Sequence, residues 1–213
     1  MERLKICFSF GASRGFSLLE LLVVVAVMLI LLGLGVRSFS DVQRAYGITT
    51  GAENVRNALL LARLEATSRS RTLEVRFCRL DADSPVRDLQ VVLHEPDGSL
   101  SLRYKMRSLP ESLLLEIDTT RSTLFTYPNK ALNASGSNFV ANDAGNAFPI
   151  NGSPNYEVFS FFIYPDGTSS QPWSSAVFPS VTLRSIQNLS EAPENYAVIQ
   201  IDPANGRSSI LRP

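Results

Sequence analysis

The sequence predicts an α+β fold in which one long N-terminal helix packs on an antiparallel β-sheet domain. Three observations support it: an apolar run from Phe16 to Val36, an apolar stripe with helical spacing that follows it, and a change of period after Ser70. Beyond Ser70 the chain contains short segments in which apolar and polar residues alternate, as in strands. Strands that follow a helix, rather than alternating with helices, indicate an α+β domain.

The 213 residues are enough for one folded domain and an appendage. We predict a short basic leader at 1–15, an apolar transmembrane helix at 16–37, its amphipathic extension at 38–70, and a β-sheet domain at 71–213. Twenty basic residues balance twenty acidic ones, so the whole molecule has no net charge that would attract nucleic acid.

The apolar run is long enough to cross a membrane. Between Phe16 and Val36 the only polar side chains are Ser17 and Glu20. As a helix this run spans roughly 32 Å, which matches a hydrocarbon core about 30 Å thick. No small-residue cleavage site follows it closely, so the run does not have the form of an ordinary signal peptide that is removed whole.

The segment GFSLLELLVVVAVMLILL resembles the type IV prepilin cleavage and methylation motif. The resemblance implies that a membrane-embedded prepilin peptidase cuts between Gly15 and Phe16 and methylates the new amine of Phe16. It also implies that Glu20, the fifth residue of the product, guides assembly by pairing with the Phe16 amine of a neighbouring subunit.

The position of Glu20 has a physical interpretation of its own. A carboxylate within a membrane helix costs a few kcal/mol, so it normally has a partner. Pairing with an amine at 4 Å gives on the order of 4 kcal/mol at an effective dielectric constant near 20, before desolvation. The alternative is a carboxylate that reaches the lipid headgroups, at a helix start where negative charge is favourable.

The predicted extension has an apolar stripe along one face. Its members recur at steps of three and four: Val42, Ala45, Thr49, Ala52, Val55, Leu59, Ala62 and Ala66. The charged residues between them, which include Arg56 and Arg63, are expected to be solvated. Gly47 and Gly51 weaken the prediction of an unbroken helix.

The predicted strands begin with a segment in which Leu73, Val75 and Phe77 alternate with Glu74, Arg76 and Cys78, a half-buried pattern. Hairpins are predicted at 89–106 and 196–211, and single strands at 113–117, 123–127, 157–164 and 181–186. The stretch at about 128–156 is rich in Asn, Ser, Gly and Ala, and is predicted to be a long surface loop.

Four further segments are similar to the GspH/FimT group of minor pilins and pseudopilins: LLLARLEATSRSRTLEVRF, FFIYPDGTSS, VTLRSI and IDPANGRSSILRP. A weaker similarity points to prepilin-like proteins of a multi-gene cassette of Verrucomicrobia. The resemblance implies a pilin-like fold and a structural subunit of a type IV pilus or a type II secretion pseudopilus. Its implied partners are other pilins, an inner-membrane assembly platform and the lipid bilayer. The sheet domain would lie in the periplasm, and later in a periplasmic or cell-surface filament.

Two alternative functions are a minor pilin that binds a ligand or DNA, and an enzyme. A minor pilin that binds a ligand or DNA would use basic residues such as Arg207 and Arg212, but the sequence has no dense basic cluster there, which makes DNA the weaker candidate. An enzyme is not expected, and neither a catalytic residue, a cofactor nor a metal is predicted. His94 is the only histidine and is expected at the surface, while Cys78 is expected to pack in the core.

Overall fold

The computed structural model describes residues 17–105, 108–126, 139–141, 148–172, 178–186 and 195–212, with backbone alone at 34–41 and 140–141. The chain divides into two compact units, Met1–Gln43 and Arg44–Pro213. Each is considered by itself.

Helix α1 extends without interruption from Leu18 to Arg69. Gly47 and Gly51 do not break it. The helix ends at Ser70, which has a φ of 52°. The N–H of Ser70 donates to the carbonyl of Thr67 and that of Arg71 donates to the carbonyl of Ala66, at 3.4 and 3.1 Å. This pair of bonds around a left-handed residue is a Schellman cap, which satisfies carbonyls that the helix leaves unpaired.

Within the described residues, no helix combines the length and the hydropathy that crossing a membrane requires.

The described residues contain nine strands, which form two antiparallel sheets. Their bounds are β1 Leu73–Arg79, β2 Asp88–His94, β3 Leu100–Lys105, β4 Leu113–Leu115, β5 Val140–Ala141, β6 Glu157–Ile163, β7 Ser180–Ser185, β8 Tyr196–Ile201 and β9 Ser208–Leu211. Sheet A has the order β3-β2-β1-β6-β5, and sheet B has the order β4-β7-β8-β9. The structure therefore confirms the α+β class and the antiparallel pairing, and divides the strands between two sheets rather than one.

The second half of α1 and both sheets share one apolar core. The helix contributes mainly small side chains to it: Ile48, Ala52, Val55, Ala58, Leu59, Ala62 and Ala66 are buried. The predicted stripe was therefore right from Ala52 onward. It was wrong at Val42, which is 65% exposed, and at Thr49, because the buried face passes through Ile48 instead.

Strand β1 is buried on both faces, whereas its alternation predicted one solvated face. The outer face is covered by residues 148–156, where Ile150 and Tyr156 form an apolar cluster with Cys78 and Val158. Two bonds from sheet A hold this cover: Gln90 Nε2 donates to the Phe148 carbonyl at 2.9 Å and Lys105 Nζ donates to the Pro149 carbonyl at 2.7 Å. The described end of the predicted surface loop is thus a cover for the sheet.

Residues Thr123–Thr126 form a 3-10 helix, so the strand predicted at 123–127 was wrong. The hydroxyl of Ser122 accepts a bond from the Thr182 N–H of β7, at 3.0 Å, where a neighbouring strand would otherwise supply a carbonyl. Phe125 lies in the core, edge-on to Phe159 with 4.9 Å between ring centroids. Phe125 is thus buried by a single helical turn, without the strand that was predicted there.

Candidate processing and assembly site

Two of the predicted site residues, Gly15 and Phe16, lie outside the residues that the structure describes. The description begins at Ser17, so the predicted cleavage point and the predicted pairing of Glu20 with the Phe16 amine remain predictions. Glu20 itself lies in the first turn of α1, where its side chain is exposed.

Ser17 and Glu20 form a reciprocal pair of hydrogen bonds at the start of α1. The Ser17 N–H donates to Glu20 Oε2 at 3.1 Å, and the Glu20 N–H donates to Ser17 Oγ at 3.2 Å. The Leu21 N–H donates to the Ser17 carbonyl at 3.2 Å, which makes Ser17 the N-cap. This arrangement is a capping box, which satisfies two donors that a helix start leaves unpaired.

The helix that follows this cap presents apolar side chains in every direction. All large apolar residues between Leu18 and Leu32 are exposed, from 46% at Val24 to 83% at Leu18. Among the described residues, a Cβ placed on Gly33 would meet nothing within 4 Å outside the backbone of its own helix and the two adjoining residues. A helix that is apolar all round is stable only when an apolar environment surrounds it.

The predicted ligand-binding residues Arg207 and Arg212 lie at the two ends of β9, and both are exposed. The Arg207 backbone belongs to the turn before β9, because its N–H donates to Asn205 Oδ1 at 2.8 Å and its carbonyl accepts from the Asp202 N–H at 2.8 Å. The turn thus fixes the backbone of one arginine and leaves its side chain at the surface.

A group of charged side chains lies on the outer face of sheet A. Glu74 Oε2 accepts from Arg76 Nη2 at 2.8 Å and lies 3.0 Å from His94 Nε2. Burial alone would raise the pKa of the Glu74 carboxyl, but bonds and charge from Arg76, with further bonds from Ser160 and His94, hold this pKa below its usual value. His94 is therefore bonded to a buried carboxylate, although its side chain remains 39% exposed.

Cys78 is buried and forms no disulfide within the described part of the chain, and burial raises the pKa of its thiol. Such a thiol is unreactive because the thiolate is the nucleophile. No group of three or more His, Cys, Asp or Glu side chains among the described residues is placed to hold a metal ion.

Comparison with known families adds one match at the N-terminus. Residues 11–36 match the prokaryotic N-terminal methylation motif. The matched segment includes Gly15, Phe16 and Glu20, together with the capping box and much of the apolar run. No curated protein sequence matches the chain significantly.

Three solved structures show a distant similarity over 78% of this chain. Two are of the minor pseudopilin EpsH from the type II secretion system of Vibrio cholerae, with 14% and 16% identity, TM-scores of 0.43 and 0.41, and 97% and 94% of the EpsH chain covered. The third is the type IV minor pilin FimU of Pseudomonas aeruginosa, with 17% identity, a TM-score of 0.44 and 92% of its chain covered.

Ser17 is the residue of the methylation motif that the sequence analysis missed. Its signal was present, because Ser-x-x-Glu before an apolar run is the sequence pattern of a capping box. Glu20 was interpreted through its charge alone. The structure shows that this carboxylate also accepts a hydrogen bond from the N-cap residue of its own helix.

Proposed function

We propose that this chain is a structural minor pilin or pseudopilin subunit of a type IV pilus or a type II secretion pseudopilus. It is made as a precursor, cut by a prepilin peptidase between Gly15 and Phe16, and methylated at the Phe16 amine. The observation that carries the proposal is the match of residues 11–36 to the N-terminal methylation motif. The role is structural and not enzymatic.

The exposed apolar side chains of Leu18–Leu32 support the same proposal. Their transfer from water is favourable by about 25 cal/mol for each Å² of apolar surface, so this segment needs a partner along its whole circumference. Before assembly that partner is the lipid of the inner membrane, with the sheet domain in the periplasm. After assembly it is the corresponding helices of other subunits, held together with the help of an inner-membrane assembly platform.

The capping box shapes the proposed role of Glu20. A carboxylate has two oxygens and about four acceptor positions, so the bond that Oε2 accepts from the Ser17 N–H leaves room for a cation. The methylated amine of Phe16 in a neighbouring subunit is the cation that we propose. The cap would hold the carboxylate in one orientation before that amine arrives.

The experiment is co-expression of the full chain with a prepilin peptidase, followed by intact mass and N-terminal sequencing. We expect loss of fifteen residues and a product that begins with N-methylated Phe16. Gly15→Leu should block the cut because the peptidase needs an unhindered backbone there, while Gly11→Leu, a matched change within the leader, should be cut normally. A mature protein that begins beyond residue 36 would overturn the proposal.

Binding of DNA is the second candidate, and the exposure of Arg207 and Arg212 is the observation in its favour. Two arginines neutralise few phosphates, so binding should be weak and should depend only shallowly on salt, with a slope of about −2 in log K against log salt concentration. Titration of the processed protein against duplex DNA at several salt concentrations tests this function. Binding that is insensitive to Arg207→Ala and Arg212→Ala would remove these residues as its basis.

A further inference from the structure

The outer edge of β9 is the open end of sheet B. At the other end of this sheet, β4 is joined to the preceding chain by a bridge between Val86 and Leu115, with the Leu115 N–H donating to the Val86 carbonyl at 3.0 Å. At the β9 end, none of the described strands pairs with the outer side. Among the described residues, sheet B is therefore extended by a backbone bridge beyond β4 but has no pairing segment beyond β9.

The register shows which backbone groups face this open edge. The Ile201 N–H donates to the Pro179 carbonyl at 2.8 Å, so the backbone of Ile201 faces the β7 side. Gln200 then faces β9, and it is paired with Ser209. Since backbone polar groups alternate in direction along a strand, the N–H and C=O groups of Ser208 and Ile210 point away from the sheet.

Strand β3, the edge of sheet A, provides a contrast. It has the charged residues Arg103 and Lys105, and its pairing with β2 shifts register between Val91 and Val92. Charges and bulges are the usual means by which an edge strand is protected from pairing with other chains. The sequence of β9 is Ser-Ser-Ile-Leu, without charge or proline, and its register with β8 is regular.

Two charged residues flank β9 in the sequence. Arg207 precedes β9 and Arg212 follows it, and both are exposed; Leu211 is 51% exposed. Antiparallel pairing of two copies of β9 would bring Arg207 of one copy close to Arg212 of the other. Pairing with β3 of a second copy would bring these arginines close to Arg103 and Lys105. Charge therefore disfavours a second copy of this chain as the occupant.

We propose that the outer edge of β9 binds an extended segment of a different protein, as an added antiparallel strand with acidic residues opposite Arg207 and Arg212. Backbone bonds to Ser208 and Ile210 supply affinity in this mode, and the two arginines select the partner and its register. The inference goes beyond the proposed subunit role and is independent of cleavage at Gly15.

The test uses the full chain in detergent micelles and a short blocked peptide, Glu-Val-Thr-Val-Thr-Glu, with Lys-Val-Thr-Val-Thr-Lys as its matched control. We expect the acidic peptide to bind about tenfold more tightly than the basic one, because two exposed ion pairs replace two repulsions. Amide hydrogen exchange should slow at Ser208 and Ile210 and stay unchanged along β3. The double variant Arg207→Glu/Arg212→Glu should prefer the basic peptide.

A second variant tests the contribution of the backbone hydrogen bonds separately from that of the two arginines. Ser208→Pro removes an N–H that faces the open edge and no bond to β8, so it should abolish binding of the acidic peptide while the melting temperature stays close to that of the wild type. Equal binding of both peptides would overturn the proposal, as would normal binding to Ser208→Pro. Duplex DNA that protects Ser208 and Ile210 when the acidic peptide does not, or a concentration-dependent dimer that protects them, would overturn it as well.

Discussion

The two parts of helix α1 meet different surroundings, and their side chains differ accordingly. Between Leu18 and Leu32 the helix presents large apolar residues in every direction, all of them exposed. From Ile48 to Ala66 it buries one face, and most of the side chains on that face are small. Large residues on all sides suit a fluid or many-sided apolar environment, whereas small residues on one face allow a helix to approach a sheet closely.

The largest expected difference between the two parts is the effect of truncating a leucine on the free energy of unfolding. Leu59→Ala should lower the free energy of unfolding by about 2–5 kcal/mol, because it leaves a cavity in the shared core. Leu29→Ala is the matched control, since Leu29 is exposed and its loss should leave the unfolding of the sheet domain unchanged. Thermal unfolding of the detergent-solubilised full chain, followed by near-UV circular dichroism, measures both. Equal effects of the two substitutions would contradict the comparison.

The two glycines test how closely the helix approaches the sheets. A Cβ on Gly51 would lie 2.9 Å from Leu183 Cδ2 and 3.2 Å from Leu113 Cδ1, whereas a Cβ on Gly33 meets nothing within 4 Å. Gly51→Leu should therefore destabilise the sheet domain by about 1–3 kcal/mol through overpacking. Gly33→Leu should leave that domain as stable as the wild type in the same unfolding assay. If the Gly51 variant melts like the wild type, the close approach described here is wrong.

The smallest expected difference in stability is between variants of two arginines in the second part of the helix, Arg63 and Arg56. Arg63 Nε donates to the carbonyl of Asn205 at 2.6 Å and so ties α1 to the turn before β9, whereas Arg56 Nη1 donates to Glu53 within the same helix, one turn away, where both side chains are half-buried. Arg63→Ala should cost about 1 kcal/mol and shift the amide resonances of the turn. Arg56→Ala should do neither. An Arg63 variant with unchanged resonances at Asn205 would show that the bond does not form in solution.

The secondary structure could be predicted wherever the local pattern of apolar and polar residues matches their burial in the fold. Of the nine strands in the described residues, all but β5 overlap segments that were predicted as strands, and the helical stripe was right from Ala52 onward. The pattern failed where a distant segment changes the surroundings. Glu74 and Arg76 alternate with apolar residues, which predicts a solvated face, but both are buried in the fold, where residues 148–156 cover the neighbouring Cys78 and Arg76 Nη2 donates to Glu74 Oε2. No local period could reveal a cover located so far along the chain.

Three residues of the candidate site were predicted from the sequence, but the hydrogen bonds at the site were not. Gly15, Phe16 and Glu20 were predicted from the resemblance of their segment to the prepilin motif, and the residues that match the N-terminal methylation motif include all three. The bond between Ser17 and Glu20 was missed because the carboxylate was considered as a charge and not as a hydrogen-bond acceptor. His94 was missed as a partner of Glu74, since its bond crosses between neighbouring strands whose register the sequence does not specify.

The central claim is that the charge of Glu20, and not only its cap, brings the subunit into a filament. Glu20→Gln separates the two, because an amide can still accept from the Ser17 N–H but has no charge. Ser17→Ala is the matched control, since it removes the hydroxyl half of the cap and keeps the carboxylate.

The measurement is the amount of each processed variant that co-fractionates with sheared filaments, relative to the amount in the membrane. We expect Glu20→Ala and Glu20→Gln to insert and be cut normally but to enter filaments at least about tenfold less, because the ammonium of a neighbour would lie unpaired in an apolar environment. Ser17→Ala should enter nearly as well as the wild type. Wild-type incorporation of Glu20→Gln, with poor incorporation of Ser17→Ala, would show that Glu20 acts only as a helix cap.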